Sequence, residues 1–212
     1  MNIHPIVVGP LAANAYLVWT DRSAACAILD PGGDAPRLIE AVEARALEPA
    51  WVLLTHMHVD HFAAAGEVLE RFGGAQLGAP AAEGDWGERP TLNLSYFLGA
   101  SLTCRAPDRA LVPGDAVELG ALSLEAIDLA GHTPGGLGFL AREGGELRAL
   151  FTGDALFAGN IGRTDFPGSS HARLIESLKA VLAELPPELA VYPGHGEATT
   201  VGTERETNPF LA

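Results

Sequence analysis

The six residues His56-Met57-His58-Val59-Asp60-His61, called the hexad below, constrain this chain most, because four of their side chains can bind metal ions. The apolar residues 51–54 stand directly before the hexad and predict a buried strand. A strand ending here would present several imidazoles and a carboxylate at its carboxyl end. Neutral imidazole and ionised carboxylate are the usual ligands of zinc and similar first-row metals. The hexad therefore predicts a metal centre.

Three further ligand candidates follow the hexad, and each stands where an apolar, strand-like run breaks at glycine or proline. They are His132, Asp154 and His195. Together with the hexad they make seven ligand candidates, whereas one zinc ion usually takes four. Seven suit two metals that share a bridging carboxylate and a bridging water. The spacing along the chain leaves open which ligand meets which metal.

Composition limits the class of protein. A chain of 212 residues that is 48% hydrophobic predicts one domain, residues 1–212, with a sizeable core. The net charge of -14 disfavours a nucleic-acid partner, because phosphate binding needs a basic face. The chain has only two cysteines, no lysine or arginine in its first twenty residues and no apolar run near ~20 residues. These features predict a cytoplasmic protein without a membrane span.

Strand-like and helix-like patterns alternate along the chain and predict a mixed α and β domain. The predicted strands include residues 3–8, 15–19, 24–29 and 51–54, and the predicted helices are residues 35–46, 62–72 and 170–185. Two hairpins are expected, one turning at Gly120-Ala121 and one at Glu143-Gly144-Gly145. Two sheets with helices outside them would bury these strands.

The hexad, followed by His132, Asp154 and His195, resembles the metallo-β-lactamase-fold hydrolases. Within that superfamily the chain is similar to the glyoxalase II-like (hydroxyacylglutathione hydrolase) branch, particularly its short, single-domain bacterial members. Residues 131–135, 152–157 and 192–210 carry this likeness. It implies an α+β fold, a four-layer αβ/βα sandwich with metals along one edge between the sheets. It also implies that the C-terminal helical glutathione-binding domain of longer relatives is absent.

The resemblance implies a ligand set for two divalent metal ions, with zinc as the first choice and iron or manganese as alternatives. The first metal would be held by His56, His58 and His132. The second would be held by Asp60, His61 and His195, and Asp154 would bridge the two.

This site favours hydrolysis of a thioester such as S-lactoylglutathione by a metal-bridging hydroxide. Asp60 and Asp154 are the expected catalytic residues: Asp60 can also orient the water, and Asp154 holds both metals. A thiolate leaves readily, since a free thiol has a pKa near 8.5. A thioester therefore needs no dedicated general acid, whereas an amide would. The expected partner is a small anionic thioester or thiol conjugate, and the sequence leaves the oligomeric state open.

Arg163 stands where glyoxalase II enzymes place a basic residue for glutathione, so it is the candidate substrate-binding residue; a local pair with Asp165 is the other interpretation. Residues 162–166 resemble the persulfide dioxygenases more than they resemble typical glyoxalase II sequences. Those enzymes oxidise a glutathione persulfide with one iron. That activity, or metal binding without turnover, is the alternative to hydrolysis. A secreted β-lactamase is disfavoured, because an aspartate stands where such enzymes commonly carry a cysteine.

Overall fold

The structure, a computed structural model, describes residues 1–211. Its first sheet has six strands whose spatial order follows the chain. β1, β2 and β3 pair antiparallel, and β3 to β6 pair parallel, so the carboxyl ends of four strands share one edge. The strands are β1 (Asn2–Val8), β2 (Ala13–Trp19), β3 (Ala25–Leu29), β4 (Glu48–Leu53), β5 (Gln76–Pro80) and β6 (Arg109–Leu111).

A second six-stranded sheet faces the first, and its strand order is β14-β13-β10-β9-β8-β7. A short ribbon of β11 and β12 lies beside it. The remaining strands are β7 (Ala116–Leu119), β8 (Leu122–Asp128), β9 (Leu137–Glu143), β10 (Glu146–Gly153), β11 (Leu156–Phe157), β12 (Asn160–Ile161), β13 (Ala190–Pro193) and β14 (Thr199–Thr200). The two predicted hairpins are confirmed as the pairs β7–β8 and β9–β10.

Helices cover the outer faces of the two sheets. They are α1 (Ala35–Glu43), α2 (Val59–Phe62), α3 (Ala65–Arg71), α4 (His171–Glu184) and α5 (Val201–Thr207). In α4, Leu174, Leu178 and Leu182 recur every four residues and are all buried, so one face of the helix packs on the second sheet. Ser170 caps this helix by accepting a hydrogen bond from the backbone N–H of Arg173.

Three layers of buried apolar side chains join the four layers of structure. Consecutive residues of one strand point to opposite faces, so each inner strand serves two layers. In β3, Ile28 packs towards α1 while Leu29 packs between the sheets. In β10, Phe151 packs between the sheets while Leu150 packs towards α4. The expected four-layer αβ/βα sandwich is thus confirmed.

The helix predicted at residues 62–72 is confirmed in part, since α3 lies within this range but starts later, and a separate short helix, α2, precedes it. α2 begins inside the hexad and ends at Phe62, and α3 starts at Ala65. Gly32 presses so closely on the turn that an added Cβ would lie 1.5 Å from the Asp60 carbonyl oxygen. The N–H of Ala64, which would continue α2, instead donates to the Pro31 carbonyl at 2.9 Å. A loop from β3 therefore divides the helix.

Candidate metal centre

The hexad leaves the carboxyl end of β4 and turns at once into α2. His56, His58 and His61 are almost fully buried, with 2%, 3% and 0% of their surface exposed. Asp60 and His61 lie in the single turn of α2, so this turn directs a carboxylate and an imidazole toward the other two rings. The local fold thus gathers all four ligand candidates of the hexad in one place.

The second sheet supplies the other three candidates from strand ends. His132 follows β8, Asp154 follows β10, and His195 follows β13. The carboxyl ends of β10 and β13 meet because these two strands are parallel neighbours. The structure therefore brings all seven ligand candidates to one edge between the sheets.

These side chains form two main clusters. The first cluster is His56, His58 and His132, and the second cluster is Asp60, His61 and His195; within each, the potential ligand atoms lie within 4.8 Å of one another. A third group with the same spacing consists of His56, His61 and Asp154. The two main clusters correspond to the two ligand sets that the resemblance implies.

Asp154 lies between the two clusters. Its Oδ1 is 3.3 Å from His61 Nε2, and its Oδ2 is 3.8 Å from His132 Nε2 and 3.6 Å from His195 Nε2. One carboxylate therefore approaches imidazoles of both clusters, the position that a bridging ligand requires.

Several buried polar atoms at this site lack hydrogen-bond partners, which is the mark of a cation site. Among residues 1–211, His56 Nε2, His61 Nε2 and Asp154 Oδ1 are buried and make no hydrogen bond of acceptable geometry. Each such atom costs about 1–3 kcal/mol when it stays unpaired. In addition, His58 Nδ1 and His132 Nε2 are only 3.0 Å apart. A donor set of imidazoles and carboxylates with converging free atoms fits a metal ion such as zinc.

Burial keeps the imidazoles of the first cluster neutral. It lowers the pKa of His56 and His132, and it lowers the pKa of His58 to about 3, with a further contribution from the neighbouring His132 ring. Neutral rings have a lone pair free for a cation at neutral pH. For His61 burial acts in the same direction, but Asp154, Asp30 and Asp60 outweigh it and raise the pKa of that ring.

Asp30, which was not among the ligand candidates from the sequence, holds two neighbouring side chains of the site in position. It stands after β3 and accepts hydrogen bonds from the Thr55 backbone N–H at 2.8 Å, the Thr55 hydroxyl at 2.8 Å and His61 Nδ1 at 3.0 Å. The last bond places the His61 proton on Nδ1 and leaves Nε2 free to face Asp154. Such outer carboxylates orient a ligating imidazole and increase its basicity.

Replacing Asp30 by asparagine tests this role. Asparagine keeps the shape and tolerates the left-handed backbone at this position, φ 47°. We expect the affinity for zinc to fall by about tenfold to hundredfold, since the charge that orients His61 is lost. Competition against a chromophoric chelator measures the change. Asp34→Asn is the control, because Asp34 has a similar φ of 51° but is exposed and bonds Gly9 instead. Equal affinities in both variants would contradict the role of Asp30.

Glu83 is a second residue that sequence reasoning missed. It is fully buried and accepts hydrogen bonds from the N–H groups of Met57 at 2.8 Å and Gly135 at 2.9 Å. Met57 lies in the hexad and Gly135 in the loop that follows His132, so this carboxylate joins the two loops of the first cluster. Burial raises its pKa. No signal in the sequence distinguishes Glu83 from an exposed acid.

Strand β2 holds the loop that carries His195. The N–H of Asn14 donates to the Gly194 carbonyl at 2.7 Å, and its side-chain amide donates to the carbonyls of Pro193 at 3.0 Å and Gly196 at 2.9 Å. The Tyr16 hydroxyl donates to the Pro193 carbonyl at 2.6 Å. These four bonds, called the β2 clamp below, attach the first sheet to the end of β13.

Arg163 combines features of both interpretations made from the sequence. Its guanidinium donates to Asp165 at 2.9 and 2.8 Å, and its carbonyl accepts the His132 Nδ1 hydrogen bond at 2.8 Å. The side chain also lies over the Phe166 ring, 4.4 Å from its centroid, and is 67% exposed. It lines the cleft above the clusters, so the local pair and access to a substrate coexist.

The family description of the metallo-β-lactamase superfamily matches residues 8–195. The chain belongs to this superfamily, in agreement with its four-layer fold and its cluster of histidines and aspartates. It is 38% identical over 212 residues to hydroxyacylglutathione hydrolase GloC of Haemophilus influenzae, and the match covers 100% of this chain and 98% of that protein. These likenesses support a metallo-hydrolase.

Three solved structures are also similar. BLEG-1 B3 metallo-beta-lactamase has a TM-score of 0.92 at 35% identity and covers 100% of both chains. TTHA1623 in a di-iron-bound form has a TM-score of 0.85 at 36% identity, covering 98% of this chain and 100% of that one. ETHE1 from Myxococcus xanthus has a TM-score of 0.79 at 27% identity, covering 99% and 84%.

None of the helices within residues 1–211 combines the length and the apolarity that crossing a bilayer requires.

Proposed function

We propose that this protein is a binuclear metallohydrolase that cleaves a thioester such as S-lactoylglutathione. The observation that carries the proposal is the position of Asp154, whose two carboxylate oxygens face imidazoles of the two clusters. The likeness to hydroxyacylglutathione hydrolase GloC over the whole chain supports the thioester as substrate.

In this proposal each cluster holds one divalent cation. His56, His58 and His132 hold the first, and Asp60, His61 and His195 hold the second, with Asp154 shared between them. Two cations held there would lower the pKa of a bound water and polarise the substrate carbonyl. Zinc is the proposed metal because imidazole and carboxylate suit it, and iron is the alternative that the di-iron form of TTHA1623 supports.

The protein's own groups orient the reactants. Asp60 Oδ2 lies 3.3 Å from His195 Nε2, and its other oxygen remains able to accept a hydrogen bond from the attacking water. Asp30 and Thr55 fix the rings behind the clusters. Among the described residues that line the cleft, the only carboxylic acids are the ligand candidates Asp60 and Asp154. A substrate with a good leaving group, such as a thiolate, suits a cleft without a separate general acid.

The test assays purified protein of counted metal content on S-lactoylglutathione, with a chromogenic β-lactam as the control that the likeness to BLEG-1 requires. We expect thioester hydrolysis that rises with metal content up to two ions per chain and stops on chelation. Full activity with one ion per chain would contradict the binuclear proposal. If the protein hydrolysed only the β-lactam, β-lactams would replace thioesters as the proposed substrate class.

Oxidation of a glutathione persulfide is the second candidate function. Residues 162–166 and the likeness to ETHE1 favour it. Oxygen consumption by iron-loaded protein with glutathione persulfide, measured beside thioester hydrolysis, separates the two activities. If protein fully loaded with metal were inert in both assays, metal binding without turnover would be the remaining function.

Substitution of Arg163 by alanine tests its proposed contact with a carboxylate of the substrate. Alanine keeps the backbone carbonyl that holds His132, so only the guanidinium is lost. We expect KM for S-lactoylglutathione to rise by about threefold to tenfold, more than kcat falls. Asp165→Ala is the matched control with the opposite sign, because it frees the guanidinium and should lower KM. An unchanged KM in Arg163→Ala would assign this residue a structural role.

A further inference from the structure

Apolar side chains surround the candidate metal centre. The cleft above the two clusters has a volume of about 510 Å³. Six of its lining residues, called the apolar wall below, are Leu11, Leu94, Phe97, Leu98, Phe157 and Phe166. Phe97 is 70% exposed, although apolar side chains of this size are usually buried. A set of exposed apolar side chains around a polar centre indicates a ligand-binding surface.

The apolar wall flanks the clusters on two sides. The Phe157 ring lies 6.1 Å from the His195 ring, measured between centroids. On the other side, the Phe166 ring lies 5.5 Å from the His58 ring and 5.9 Å from the His132 ring. The space beside the two clusters is therefore bounded by an aromatic ring on each side.

The segment that carries Leu94, Phe97 and Leu98 is fixed in place by a buried amide. The Asn93 side chain donates to the carbonyls of Gly87 and Leu102, each at 3.1 Å, and accepts the Ser95 N–H at 2.9 Å. The Asn93 carbonyl accepts the Val59 N–H at 2.8 Å, which ties this segment to α2. This part of the wall is thus formed before a substrate binds, so contact with it costs little ordering.

Positive charge is scarce in the same cleft. Arg163 is the only arginine or lysine among the described residues that line it, and this guanidinium already pairs with Asp165. A glutathione moiety carries two carboxylates, and burying a carboxylate without a partner is costly. The charged thiol half of such a substrate therefore remains largely in water, with at most one carboxylate at Arg163.

From these contacts we infer that the cleft selects thioesters by an apolar acyl group larger than lactoyl. This selection rests on the proposed thioester hydrolysis and specifies its substrate class. The acyl substituent and the sulfur are both bonded to the reacting carbonyl carbon. Because the charged thiol half stays in water, the acyl group is the part that lies beside Phe157 and Phe166. Phe97 and Leu98 extend this surface outward for a longer chain or a ring.

The first experiment compares acetyl, butanoyl and hexanoyl glutathione as substrates of the metal-loaded protein. Dividing each kcat/KM by the rate of alkaline hydrolysis of the same thioester removes differences in intrinsic reactivity. Each methylene moved from water to an apolar wall improves binding by up to about fourfold, so we expect a rise of at least about tenfold from acetyl to hexanoyl. A flat or falling series would overturn the selection.

A binding measurement supplies a readout other than activity. S-methylglutathione and S-hexylglutathione are thioethers that cannot be hydrolysed, and calorimetry with the metal-loaded protein gives their Kd values. We expect S-hexylglutathione to bind at least about tenfold more tightly, because its chain occupies the space of the acyl group. Equal Kd values would overturn the proposal.

Phe97→Ala tests whether the apolar wall causes the preference for a long acyl chain. Phe97 is exposed, so its truncation leaves the core intact. We expect the ratio of hexanoyl to acetyl kcat/KM to fall by about fivefold, since apolar contact area is lost. Phe210→Ala is the control, because Phe210 is also exposed, at 43%, but lies outside the cleft lining. An unchanged ratio in Phe97→Ala would contradict the proposed role of the wall.

The outcomes separate the two proposals. Hydrolysis of every thioester with no preference for length would keep the proposed function and overturn the acyl selection. Failure to hydrolyse any thioester would overturn both. A third comparison lengthens the thiol half instead, from S-ethyl thioacetate to S-hexyl thioacetate. If kcat/KM rises more in this pair than from acetyl to hexanoyl glutathione, the cleft binds the apolar group of the thiol half, and the acyl selection is wrong.

Discussion

Replacing Asp154 by alanine is expected to remove at least one metal ion per chain and nearly all thioester hydrolysis. Its carboxylate approaches imidazoles of both clusters, with separations of 3.3 to 3.8 Å from three of them. Loss of an outer partner alone costs about tenfold to hundredfold in metalloenzymes, so loss of a shared ligand should lower kcat/KM by more than about a hundredfold. Elemental analysis and steady-state kinetics measure the two effects.

The control for this change is Asp85→Ala. Asp85 is 66% exposed and pairs only with Arg89 on the surface, so its loss should leave both metal content and rate unaltered. Circular dichroism on both variants shows whether the fold survives. Two metal ions per chain and full activity in Asp154→Ala would contradict a shared carboxylate at this centre.

A single methyl group at Gly194 is expected to have the second largest effect. An added Cβ would lie 2.3 Å from Asp154 Oδ1 and 2.8 Å from His61 Cε1. The φ of Gly194 lies outside the left-handed region, so the backbone admits alanine and only the lack of space opposes it. Asp154 and His61 must then move. Because a displacement near 1 Å can cost about a hundredfold in rate, we expect Gly194→Ala to lower kcat by roughly that factor.

Gly66→Ala is the matched control for Gly194→Ala. Gly66 lies in α3 with nothing within 4 Å of an added Cβ, and alanine favours a helix. We expect this variant to keep its metal and its rate and to gain slightly in stability. Normal metal content and turnover in Gly194→Ala would mean that the carboxylate does not need its present position.

The ligand candidates were predictable from the sequence because each follows a strand, and strand ends present their next side chains at a sheet edge. The hexad after β4 and His195 after β13 are clear cases. Their role as metal ligands, like that of Arg163 in substrate binding, stays a prediction. Asp30 also follows a strand, β3, which is a parallel neighbour of β4, so this position was a usable signal. Glu83 offered none, since its role depends on two backbone N–H groups distant in sequence.

The four-layer fold was predictable mainly through the resemblance, whereas several local elements were not. β5 and β6 escaped notice because they are short, and β5 contains Gly78 and Pro80. A Cβ at Gly78 would lie 2.8 Å from a terminal methyl of Leu53, so a larger residue there would make the Leu53 side chain move. The division between α2 and α3 depends on the Pro31 carbonyl, which no periodicity within residues 59–72 reveals. Close approaches between distant segments decided these details. The expected extent of the domain, residues 1–212, stays a prediction.

The β2 clamp has a consequence for the order in which this molecule assembles. Asn14 is 182 residues from Gly196, so their bond closes one of the longest loops in the chain. Loops of that length form late in folding, and during synthesis Asn14 leaves the ribosome long before its partner exists. The Asn14 amide therefore stays hydrogen-bonded to water until the end of β13 docks against β2. Pulsed hydrogen exchange during refolding should find the Asn14 N–H protected after the amides of the β9–β10 hairpin.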